Sequence, residues 1–161
     1  MALTPMHRND LSRETGLLVV WALAAESAGR GLDFIIGSSV GRQPGSGLSV
    51  VESSAPLWFW GGFGLFVAVS AAFGVVRSRY EPVIVAALAG MALHLTYSVG
   101  YLAAVVERGW PPDGFRTPIW FLVMAAMWGA IALEMLAGRN VQRKVLAEQR
   151  EAGDGDTGSA V

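Results

Sequence analysis

Three runs of about twenty residues, 58–76, 83–106 and 117–137, are apolar almost throughout, and they leave the chain few possible folds. A helix rising about 1.5 Å per residue needs about 20 such residues to cross roughly 30 Å of hydrocarbon. The runs show no alternation of apolar and polar positions, and open strand edges would leave backbone groups unsatisfied in lipid. An all-α, polytopic transmembrane helical bundle is the expected architecture. Composition agrees: the 161 residues are 53% hydrophobic and 16% charged, and the mean hydropathy of +0.44 lies above that of ordinary soluble domains.

The segment 15–37 has two readings. It opens on the apolar "GLLVVWALAA" and continues into "ESAGRGLD". As a signal peptide, Arg8 and Arg13 form the charged head, residues 16–21 the apolar core, and the "ALA" at 22–24 a small-residue cleavage site. As a membrane span, Glu26 and Arg30 stand four apart with the acid first, and Arg30 and Asp33 three apart, so all three share one stripe. Each charge then has a partner, which offsets an insertion cost of about 2.5–3.5 kcal/mol per charge. This favours the span and gives four, at about 15–37, 58–76, 83–106 and 117–137.

Charge bias orients them. With a cytoplasmic amino terminus the inner segments hold Arg8, Arg13, Arg77, Arg79, Arg139, Arg143, Lys144 and Arg150, against Arg42, Arg108 and Arg116 outside. Both termini are therefore expected in the cytoplasm and the protein in the cytoplasmic membrane. Trp58, Trp60, Trp110 and Trp120 fall near the outer interface in this layout, and Tyr80 near the inner one. Pro82 and Pro118 stand where spans begin, where a missing N–H is harmless. Residues 38–57, with "GRQPGSG" and "ESSAP", read as a loop, 77–81 as a short turn and 107–117 as a polar link. The expected organisation is a transmembrane domain over 1–138, then a cytoplasmic helical extension and disordered tail over 139–161.

Chemistry concentrates in the membrane. His94, Tyr97, Ser98 and Tyr101 follow helical 3–4 spacing, at a depth matching the first span's charges. The candidate intramembrane polar cluster is Glu26, Arg30, Asp33, His94, Tyr97 and Tyr101. Such a cluster serves either as a proton or ion path or as a lock on helix order and register. A second set is structural: small residues at Gly64, Ala68 and Ala72, at Ala86 and Gly90, and at Ala125 and Gly129 form helix-packing faces, within one chain or between chains. Glu134 is expected to snorkel or to pair with Arg139. With no cysteine and no second imidazole beside His94, no metal is expected, and no other cofactor. "GGFG" at 61–64 has no following Lys-Ser/Thr and reads as no phosphate loop, so no nucleotide is expected. There is no G-x-S-x-G or H-E-x-x-H motif, and enzymatic activity is not expected. A net charge of −1 without a basic, aromatic-laced stripe speaks against nucleic acid.

The short chain, its four spans with both termini inside, the charged "ESAGRGLD" closing the first, and the basic-then-acidic "RNVQRKVLAEQREAGDGD" resemble the small multi-pass membrane proteins of actinobacteria and their phages, some of them holin-like. The resemblance lies in architecture and composition and carries over no functional residue. It implies homo-oligomerisation in the cytoplasmic membrane and the opening of lesions. The length and the 38–57 loop depart from the simplest holin. Two alternatives stand beside it: a small transporter or channel subunit with a polar path through Glu26 and His94, and an assembly partner acting through its cytoplasmic tail.

Overall fold

The computed structural model describes residues 6–39, 49–108 and 116–156, and every element among them is an α-helix. These are α1 (Met6–Ser39), α2 (Ser49–Ser54), α3 (Leu57–Val76), α4 (Tyr80–Arg108) and α5 (Arg116–Asp156). Among the described residues, three stretches are long and apolar enough to cross a membrane: Leu57–Val76, Tyr80–Val106 and Arg116–Gln149. The chain thus has the architecture of a small membrane protein. α1, which carries Glu26, Arg30 and Asp33, is not among the three.

Contacts at glycines define the packing. Ser27 and Gly31 of α1 lie against Gly64 and Gly61 of α3, Gly74 of α3 against Val83 of α4, and Gly90 and Tyr80 of α4 against Trp128 and Gly138 of α5. Sequence numbers run in opposite senses at each contact, so α1, α3, α4 and α5 form an antiparallel up-down bundle. α1 packs on α3, α3 on α4 and α4 on α5, whereas α1 and α5 touch only briefly. The α3–α4 turn closes tightly: the Arg79 N–H donates to the Gly74 carbonyl at 2.9 Å, and Ser78 takes the left-handed conformation with φ 50°.

The α1–α3 seam is the closest crossing. A Cβ on Gly61 would stand 2.7 Å from both the Gly31 carbonyl oxygen and Ile35 Cγ1, and one on Gly31 would stand 2.7 Å from the Gly61 carbonyl oxygen. Only glycine lets the two backbones approach so far. Two apolar clusters fill the bundle. One, towards the α3–α4 turn, joins Val20, Leu23, Val67, Ala86, Trp128 and Ile131. The other, towards α2, joins Phe34, Val51, Leu93, Tyr97 and Phe121.

Three expectations are corrected. The 38–57 segment, read as a loop, contains α2, whose Val51 side chain packs over Gly100 of α4. Trp60 Nε1 donates to the carbonyls of Val51 and Ala55, both at 3.2 Å, anchoring this short helix from α3. Secondly, α5 continues to Asp156, so residues 152–156 of the expected disordered tail are helical. Extending an existing helix needs no new nucleus, and "RNVQRKVLAEQRE" is rich in good helix formers. Residues 157–161 and Trp110 lie outside the described residues. Thirdly, of the two alternatives expected for Glu134, the pairing with Arg139 is absent among the described residues, while the exposure of Glu134 suits the other, snorkelling; Arg139 Nε is buried without a hydrogen bond. Five residues rotate about 140° round a helix, which sends the two side chains to different faces.

Candidate functional site: an acid, an imidazole and a guanidinium between two apolar clusters

His94 lies fourteen residues from each end of α4 (94 − 80 and 108 − 94), or about 21 Å at the helical rise. It is therefore at the centre of one of the membrane-length helices, and its side chain is 0% exposed. Helical spacing places its ring one turn above Gly90, whose carbonyl lies 2.7 Å from Nδ1. Nε2 points across to α1, 3.0 Å from Glu26 Oε2. The other carboxylate oxygen, Oε1, accepts from Arg30 Nε at 2.7 Å, as the four-residue spacing permits. Glu26 thus joins a cation on its own helix to an imidazole on another.

The hydrogen-bond roles follow from the acceptors. A carbonyl can only accept, so the contact with Gly90 puts a proton on Nδ1. Nε2 then meets Oε2 at bonding distance, which is attractive only when one proton lies between them. Either the imidazole is cationic and the carboxylate charged, or both are neutral, with the proton on Glu26. In both states the three groups together carry one positive charge. The contact can therefore relocate a proton without changing the charge of the site, a useful property in a low-dielectric layer where isolated charges are costly.

Aromatic rings surround this triad. Phe121 of α5 lies beneath the Arg30 guanidinium, 4.5 Å from ring centroid to Cζ. The same ring meets His94 at 6.1 Å, Tyr97 at 5.2 Å and Tyr101 at 5.4 Å. Tyr97, buried, also packs edge-on against Phe34 at 5.6 Å and Trp60 at 6.1 Å. The Ser98 hydroxyl donates to the Pro118 carbonyl at 2.8 Å and ties α4 to α5 beside the cluster.

Of the candidate residues, the structure brings Glu26, Arg30 and His94 into direct contact and gathers Tyr97 and Tyr101 at the shared Phe121 ring. Asp33 is exposed on α1. The small residues sit inside the chain: Gly64 on Ser27, Ala68, Ala86 and Ala125 buried, Gly90 beneath the Trp128 indole, Gly129 beside Met91, and Ala72 half-buried. No family model, curated protein or solved structure matches this chain. The site must be read from its own geometry.

That geometry includes residues that sequence reasoning passed over. Phe121 had no distinguishing signal, being one apolar residue in an apolar span. Ser27, one residue after Glu26, is buried with its hydroxyl unpartnered, as is the Trp128 indole N–H. A polar residue midway along an apolar stripe could have marked Ser27; nothing marked Trp128.

Proposed function

We propose that this chain is a four-span protein of the cytoplasmic membrane with both termini in the cytoplasm, and that the Glu26–His94 contact is the proton-bearing site of a small transporter or channel subunit. The observation that carries this reading is the pair of contacts on one buried ring, Nδ1 to the Gly90 carbonyl and Nε2 to Glu26, which demands a shared proton at mid-helix depth. Arg30, with 32% of its side chain exposed, links that contact to the side of the bundle where α1 and α5 diverge. The test is proton flux into liposomes holding the full chain, read by a trapped pH dye. Glu26→Gln, which keeps the shape but not the charge, is expected to lower flux about a hundredfold while helicity is retained. Equal flux from the wild type and the folded variant would leave Glu26 a purely structural role.

The holin-like reading, in which homo-oligomers open lesions, needs faces other than the small-residue stripes, which are occupied within the chain. Its candidates are outward apolar side chains such as Leu18, Val69, Val99 and Leu133, all exposed. Escape of a large dye from the same liposomes would identify it.

In this proposal α1 is retained as a span. Residues 22–24 lie within a continuous helix, with Leu23 and Ala24 buried. Cleavage there would remove Val20 and Leu23 from the core beneath α3 and α4. The intact mass of the extracted protein is expected to include these residues. A loss equal to the first two dozen would remove α1 from the bundle.

A further inference from the structure

We propose that the cleft between α1 and α5 holds the phosphate of an anionic phospholipid. The inference rests on the four-span topology proposed above and shares Arg30 and Phe121 with the proton-bearing site, but it does not depend on proton transfer. Where the two helices part they leave an open cleft of about 790 Å³, lined by Arg30 of α1 and by Arg116, Thr117, Ile119, Trp120, Phe121 and Val123 of α5. Two of these seven carry guanidinium groups and, among the described residues, none of the lining is a carboxylate. Arg30 gives only its Nε to Glu26, and no described hydrogen bond engages its two terminal nitrogens. Arg116, at the first residue of α5, is exposed and forms no ion pair among the described residues. Asp33, exposed on α1, is not part of the lining.

Depth and chemistry both select a lipid. Arg116 begins the membrane-length stretch of α5, at headgroup level in the proposed topology. Phe121, under Arg30, lies five residues deeper, about 7.5 Å along the helix. A guanidinium one turn below the interface extends towards it, and the planar fork of arginine matches phosphate oxygens two at a time. The wall beside the cations is apolar: Ile119, between the levels of Arg116 and Arg30, and Val123, below both, are exposed and would lie beside the first acyl methylenes. A free inorganic anion would use the cations but gain nothing from this wall.

The experiment takes the full chain in a zwitterionic detergent and counts bound phosphatidylglycerol or phosphatidylcholine by native mass spectrometry. The wild type is expected to retain phosphatidylglycerol in preference. Arg116→Glu should weaken that retention about fivefold or more. Val123→Trp, which fills the apolar wall, should lower retention of both lipids. Both positions are exposed, so neither change disturbs the core. Equal retention of the two lipids, or wild-type retention in both variants, would overturn the proposal. So would displacement of phosphatidylglycerol by an equal concentration of inorganic phosphate, which would show a site for free anions.

Discussion

Replacing Gly61 by leucine is expected to force α1 away from α3 and to destabilise the bundle more than a leucine placed on its lipid-facing surface. The first added carbon already lies 2.7 Å from the Gly31 carbonyl oxygen and from Ile35 Cγ1, and the carbonyl cannot move without its helix. Overpacking of this kind costs about 1–3 kcal/mol, sometimes more. Here the displacement would also pull Glu26 away from His94, because α1 carries the acid and α4 the imidazole. Gly31→Leu should behave alike. Gly62 and Gly29 provide the controls: a Cβ on either meets nothing within 4 Å, so alanine there should be neutral or stabilising by up to about 1 kcal/mol. Unfolding in mixed micelles, followed by circular dichroism, would separate the pairs. Equal effects at Gly61 and Gly62 would contradict the close crossing.

The second large effect is expected at Glu26. Glu26→Leu leaves the fully buried His94 with Nε2 unpartnered and removes the carboxylate from Arg30. Deleting one member of a fully buried pair costs about 3–5 kcal/mol, much of it from the group left behind; with 20% of the Glu26 side chain exposed, the loss here is expected at or below the lower end of that range. The informative comparison is therefore the double variant Glu26→Leu with His94→Phe. Removing both polar partners should recover part of the loss, so the two single effects should fail to add by about 1–3 kcal/mol. Simple additivity in the same unfolding assay would show that the contact contributes nothing to stability. This test is independent of proton flux, and a strong coupling here is compatible with either a transporting or a locking role.

Several parts of the site were legible in the primary structure. Glu26 and Arg30 share a helical face whatever the bundle does, because four residues make about one turn. His94, Tyr97 and Tyr101 share another for the same reason. Their depth could be matched by counting along each helix, but counting does not supply rotation about the helix axis. The rotation of α1 is set where Gly31 meets Gly61, and that seam turns Glu26 towards α4 while leaving Asp33 exposed. The role of the small residues was likewise open, since the same stripe suits a neighbouring helix of the same chain or of another copy.

By itself, the sequence determined the helical class, the three membrane-length runs and the chemical types available at mid-depth, because these depend on hydropathy, backbone satisfaction in lipid and local helical period. Tertiary structure decided which faces meet. It made Phe121 the common floor of Arg30, His94, Tyr97 and Tyr101, seated α2 on Gly100, and left the cleft between α1 and α5 open. These outcomes depend on how closely the backbones approach at particular glycines, a distance that no pattern along the chain encodes.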